Sequence, residues 1–85
     1  MFYVYILKSK KDGKLYIGYS ENLKRRLLEH KQGKVFNTKY RLPIELVYYE
    51  AYKNEEDAKL REKSFKHSGS VHNGLIKRIK RSIED

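Results

Sequence analysis

The chain has 85 residues, no cysteine and one proline, and its 20 Lys+Arg against 11 Asp+Glu leave a net charge of +9. That length allows one domain, residues 1–85, and no large internal cofactor cavity, because so short a chain buries only about 60–65% of its unfolded surface. The absence of cysteine excludes a disulfide framework, a thiolate zinc site, an iron–sulfur cluster and a Cys nucleophile. The longest apolar run, Phe2 to Leu7, falls far short of the ~20 residues of a membrane helix. It also lacks the flanks of a signal peptide, so a soluble, cytoplasmic protein is expected. Eight Tyr and three Phe argue for a packed core despite a mean hydropathy of -0.88, since disordered segments are poor in aromatics. The positive excess points to a polyanionic partner, nucleic acid above all, with basicity for solubility as the other reading.

Phe2 to Leu7 is aromatic and β-branched throughout, which is strand composition. The polar stretch Lys8 to Lys14 carries Asp12-Gly13, a hairpin turn signal, and Leu15 to Tyr19 is the returning strand. Alternation places Tyr3 and Tyr5 on one face with Phe2, Val4 and Ile6 on the other. On the second strand Tyr16 and Gly18 oppose Leu15, Ile17 and Tyr19. Capping residues Ser20 to Asn22 and a stop at Gly33 bracket a helix over Leu23 to Gln32. At 100° per residue its apolar stripe is Leu23 and Leu27, flanked by Arg26 and His30, while Arg25 and Glu29 face solvent.

Lys34 to Leu42 reads as a basic loop closed by Pro43. Ile44 to Tyr52 is a third strand, Leu46 and Tyr48 alternating against Val47 and Tyr49. Asn54 with Asp57 resembles an acidic capping box and opens a helix to about His67, with Ala58, Glu62 and Phe65 inward. Ser68-Gly69-Ser70 breaks it, and Leu75, Ile76, Ile79 and Ile83 mark a third helix. The order β-β-α-β-α-α predicts a compact α+β domain, a small three-stranded antiparallel sheet flanked by helices.

Three groups of residues suggest chemistry. Tyr5 and Tyr16, with ten residues between them, can meet across the hairpin, although tyrosine is also simply a good strand residue. Arg26 and His30, at i and i+4 beside the apolar stripe, suit a phosphodiester: Arg by forked hydrogen bonds, His as donor or proton shuttle. Their alternative role is to cover the core with their stems. Glu62 is the acidic residue on a core-facing stripe, and burying a carboxylate is costly unless it is paired or binds a metal. A salt bridge to Lys66 is the plainer account, worth only about 0.3–0.5 kcal/mol on a helix. No zinc spacing, Walker or Ser-His-Asp pattern is present. His67 and His72, flanking the Gly/Ser turn, read as loop residues or phosphate contacts.

Taken together, Tyr3-Val4-Tyr5, Tyr16-Ile17-Gly18, Arg26 with His30 and the distal Glu62 resemble the GIY-YIG nuclease domain, over nearly the whole chain and in the right order. The similarity is to its small stand-alone bacterial branch. Tyr3 stands where the family's namesake motif has Gly and Val4 occupies the middle position, and Asn73 is only a possible counterpart of a family Asn. The resemblance implies a divalent-metal-dependent endonuclease that hydrolyses DNA phosphodiesters, acting on duplex or branched DNA in repair or processing. Neither a membrane nor an obligate protein partner is expected. By that resemblance Tyr5 is the general base, Tyr16 positions water or phosphate, Arg26 holds the phosphate, His30 assists proton transfer, and Glu62 binds Mg²⁺ (or Mn²⁺). Nearby cations are expected to favour the Tyr5 phenolate. Gly18 either keeps space for the substrate or serves a bulge or tight packing. Lys24, Arg25, Lys34, Lys39, Arg41 and Lys66 are candidate DNA contacts. A non-catalytic DNA-binding module of the same fold is the alternative function, and an RNA or ribosome-associated role ranks below it.

Overall fold

The computed structural model describes residues 1–85. Strands β1 (Phe2–Ser9) and β2 (Leu15–Ser20) form the hairpin, followed by α1 (Leu23–Lys31), β3 (Ile44–Tyr52), α2 (Glu55–His67), α3 (Gly69–Arg78) and α4 (Lys80–Glu84). The sheet is antiparallel in the order β2-β1-β3, so β1 is central. β1 runs two residues beyond the apolar stretch because Lys8 and Ser9 pair with Glu45 and Ile44 of β3. In the hairpin turn, Gly13 adopts φ +73, a region that favours glycine.

The two faces of the sheet separate as strand alternation requires. Val4 and Ile6 pack with Ala58 and Phe65 of α2, Leu75 of α3 and Ile79 in one core. Tyr5, Leu7 and Ile44 pack on the opposite face with Tyr16 and with Leu23 and Leu27 of α1. Burying side chains the size of Ile6 and Phe65 stabilises the fold by roughly 1.5–3 kcal/mol each. The sheet thus lies between α1 on one side and the α2–α3 layer on the other.

The helix ends are chemically specified. The Asn22 side chain accepts from the Arg25 amide, and Asn54 accepts from those of Glu56 and Asp57. Glu55, Glu56 and Asp57 crowd the first turn of α2, where the helix dipole favours negative charge. Ser68 serves as C-cap of α2 and N-cap of α3. Its glycine and serine neighbours are helical, and so are His67, at the end of the helix expected there, and His72, which reads from sequence as a loop residue or phosphate contact. The last helical stretch is divided at Ile79, whose buried side chain joins the core while its backbone departs from helical geometry. Lys8 donates to the carbonyl of Ile83 at 2.6 Å, tying α4 to the central strand.

The alternation expected along β3 fails at one point. Ile6 faces Tyr48 and Leu7 faces Leu46, so Val47 is an extra residue forming a bulge. Leu46 consequently joins the Tyr5 side and Tyr48 the Phe65 side, rather than sharing a face. This shift turns Tyr48, Glu50 and Tyr52, which alternation keeps together, to the α2 face. Both tyrosine hydroxyls donate to the Glu50 carboxylate, and Arg61 of α2 donates to it from Nε at 2.9 Å and Nη2 at 3.2 Å. Burial alone would raise the Glu50 pKa, but Arg61 and the two tyrosines hold it below the ordinary carboxylate value.

Candidate active site

Three of the five residues singled out by motif meet on the α1 face of the sheet. Tyr5 on β1, Tyr16 on β2 and His30 on α1 pack pairwise, with ring centroids 6.4 Å apart for Tyr5–Tyr16, 5.7 Å for Tyr5–His30 and 5.2 Å for Tyr16–His30. The Tyr5 hydroxyl lies 2.9 Å from Nε2 of His30, and Nδ1 of His30 lies 2.7 Å from Oγ1 of Thr38. Tyr5 and His30 are both 0% exposed and Thr38 is 1% exposed. Every polar atom of this chain of groups is satisfied, as burial demands.

Gly18 explains how Tyr5 fits. It pairs directly with Tyr5 across the hairpin, and a Cβ built on it would stand 2.4 Å from both Cζ and the hydroxyl oxygen of Tyr5. Of the roles open to Gly18 from sequence, tight packing is the one observed. Thr38 was not singled out in the sequence. It lies in the loop after α1, and only the fold brings it to His30.

Arg26, one turn before His30, is half-buried and its Nη1 is 3.3 Å from Oε1 of Glu29. Glu29 is thereby drawn into a partner role instead of facing solvent freely. The positive charge of Arg26 also favours the Tyr5 phenolate. That effect does not prevail. Burial, reinforced by Tyr16 and Glu62, pushes the Tyr5 phenol up to about 12, opposite to the direction expected from nearby cations. Burial, followed by the positive charge of Arg26, pushes the His30 imidazole down to about 4, so it is neutral near pH 7. Tyr5 and His30 are therefore enclosed, rather than lying on an open basic surface, and Tyr16 and Arg26 form the accessible margin.

Glu62 belongs to α2, in the opposite helix layer. Its charge reaches both Tyr5 and Tyr19, but its carboxylate is ion-paired with Lys66 at 3.2 Å. No cluster of three or more His, Cys, Asp or Glu side chains is present. The donor set is thus one half-buried carboxylate, which fits a hard, largely hydrated cation such as Mg²⁺ whose other positions are taken by water and phosphate oxygens. It does not resemble an all-protein cage.

Of the candidate DNA contacts, Lys24, Arg25, Lys34 and Lys39 are exposed. Arg41 is half-buried and paired with Asp12 at 3.5 Å, and Lys66 is engaged by Glu62. Lys24 also borders a shallow cavity of about 480 Å³ with Tyr3, Tyr49, Leu23 and Leu27. No helix is long and apolar enough to cross a membrane.

Comparison with known proteins bears on the family and the fold. Residues 1–73 match the GIY-YIG catalytic domain. The UPF0213 proteins SpyM50708 of Streptococcus pyogenes serotype M5 (strain Manfredo) and SPs0786 of serotype M3 (strain SSI-1) are each 45% identical over 65 residues, covering 75% of this chain and 70% of theirs. The solution NMR structure of the UPF0213 protein BH0048 from Bacillus halodurans superposes with a TM-score of 0.58 at 38% identity, covering 91% of this chain and 84% of that one. With the family model matched over residues 1–73 and the fold in agreement, the chain belongs to the GIY-YIG catalytic domain family, a family of nucleases.

Proposed function

We propose that this protein is a divalent-metal-dependent endonuclease that hydrolyses DNA phosphodiesters, with duplex or branched DNA as substrate. The observation that carries this reading is the hydrogen-bonded chain Tyr5–His30–Thr38, with Tyr16 against both rings and the Arg26 charge acting on Tyr5 from the margin. With Nδ1–H of His30 donating to Thr38, Nε2 is the acceptor and the Tyr5 hydroxyl donates to it. Arg26, at the accessible margin, binds the phosphodiester oxygens through its planar fork. The bound anion offsets the Arg26 charge, one of the two influences that hold His30 neutral, so substrate binding makes Nε2 more basic. With the Tyr16–Arg26 margin opened on substrate binding, the attacking water gives its proton to the otherwise enclosed Tyr5 oxygen as the Tyr5 hydroxyl proton passes to Nε2. An oxygen–phosphorus bond forms and the bond to the leaving oxygen breaks. Tyr16 borders this path and orients the water. Glu62 is the residue that would hold the metal, which when bound supplies charge stabilisation to the leaving oxygen.

The test is incubation of the purified protein with duplex, nicked and branched DNA in Mg²⁺ or Mn²⁺. Cutting is expected, and should be lost in Tyr5→Phe, Arg26→Ala and Glu62→Ala. If no substrate is cut, or if Glu62→Ala cuts as well as the parent, the proposal fails. The enclosure of Tyr5 and His30 and the engagement of Glu62 by Lys66 favour a second reading, a DNA-binding module without catalysis. Metal-independent binding that Arg26→Ala leaves unchanged would support it.

A further inference from the structure

The segment between α1 and β3 presents two opposite characters. Val35 and Thr38 are buried, at 7% and 1% exposure, whereas Phe36 and Tyr40 are 75% and 71% exposed. These exposed rings are not on a slack loop. The amides of Thr38 and Lys39 both donate to the Val35 carbonyl, and the Arg41 amide donates to that of Thr38. Ser9 and Lys11 of the hairpin donate to the carbonyls of Arg41 and Tyr40 at 2.6 and 3.3 Å. The Lys39 ammonium stands 5.3 Å from the Phe36 ring centroid and 4.9 Å from that of Tyr40, so one charge serves both rings. Holding two large aromatic surfaces in water on a well-bonded backbone is unfavourable unless something covers them.

We infer that Phe36 and Tyr40, with Lys39 between them, form a stacking platform for unpaired DNA nucleotides beside the active site, an inference that rests on the nuclease reading above. Base faces stack on exposed aromatic rings without regard to sequence, and the adjoining phosphates require cations. Lys39 and the exposed Lys34 supply them. A paired base keeps both its faces within the duplex stack and cannot use the rings. A second copy of this chain is a poor occupant, because it brings +9 against +9. The platform stands two residues either side of Thr38, whose side chain orients His30. Nucleotides captured there lie next to the groups that act on phosphate, which gives the substrate class an unpaired portion: a single strand, a flap or a branch point.

Binding is measured in chelator, so that no cutting is required, using a short oligodeoxythymidylate and a duplex of equal length. Each of Phe36→Ala and Tyr40→Ala should weaken single-strand binding about tenfold, while duplex binding changes less than about twofold. The chain contains no Trp, so Phe36→Trp supplies a single indole whose fluorescence should be quenched by the single strand and much less by the duplex. Equal loss on both DNAs, no loss on either, or an unquenched indole would overturn the platform. So would tighter binding of the matching oligoribonucleotide, which would move the substrate to RNA, or alanine variants that change only self-association. The two readings separate cleanly. A platform that binds in a protein that cuts nothing leaves the nuclease reading wrong, and cutting with indifferent rings leaves the platform wrong.

Discussion

Gly18→Ala is the most informative single substitution. Gly18 does not have a positive φ, so alanine meets no backbone penalty there, and in a strand it would ordinarily stabilise by roughly 0.5–1 kcal/mol. The obstacle is steric: the new Cβ would be 2.4 Å from Cζ and the hydroxyl oxygen of Tyr5 and 2.8 Å from Cε2, against the ~3.5–4.0 Å of a normal carbon contact. The Tyr5 ring cannot swing away freely, because it is 0% exposed and wedged between Tyr16 and His30. Overpacking of this kind costs about 1–3 kcal/mol. If the ring shifts and breaks the Tyr5–His30 hydrogen bond, the buried partner left behind costs about 1–3 kcal/mol more. Together these give a loss of roughly 2–6 kcal/mol, or a fall in Tm on the order of 10–50 °C for a domain of this size. Urea denaturation, with thermal melts alongside, measures it. The control is Gly18→Ala in a Tyr5→Leu background, where the clashing ring atoms are gone and the penalty should shrink below about 1 kcal/mol. A Gly18→Ala protein within about 0.5 kcal/mol of the parent, or an equal penalty in both backgrounds, would refute the packing argument.

Two further outcomes follow from the polar groups in the core. The unfolded chain takes up a proton on His30 near pH 6.5 and the folded protein only near 4. Its contribution to stability is therefore complete above pH 6.5 and is lost as pH falls through that window. Denaturation of the parent and of His30→Gln from pH 7 to 4 should show a steeper loss in the parent, and parallel curves would contradict the buried, neutral imidazole. Glu50→Ala removes the acceptor shared by Tyr48, Tyr52 and Arg61, and should cost about 1–3 kcal/mol in urea denaturation. Because the cluster lies away from Tyr5, DNA cutting at low temperature should be unaffected, and a selective loss of cutting would show that the cluster serves the site.

The sequence alone was enough for the elements that depend on near neighbours. The Leu23/Leu27 stripe and the partition of Val4 and Ile6 from Tyr5 rest on periodicities of about 3.6 and two residues, and the Asp12-Gly13 turn and the caps at Asn22 and Asn54 on the chemistry of one to three neighbouring residues, all of it written locally. The motif residues and their order stand in the chain itself, so the resemblance to the family was legible there, and the match over residues 1–73 bears it out. What only the tertiary structure decided depends on partners distant in the chain. The bulge at Val47 lies where β3 pairs with β1, and it turns Tyr48, Glu50 and Tyr52 to the α2 face, where Arg61 meets them. Thr38 reaches His30 only after the segment following α1 packs back on the site. The need for glycine at position 18 comes from the ring of Tyr5 lying on it, and the raised Tyr5 and lowered His30 pKa values come from enclosure that charge counting along the chain cannot reveal. Register and burial belong to pairs of segments, so they are set when the sheet and helices close on one another.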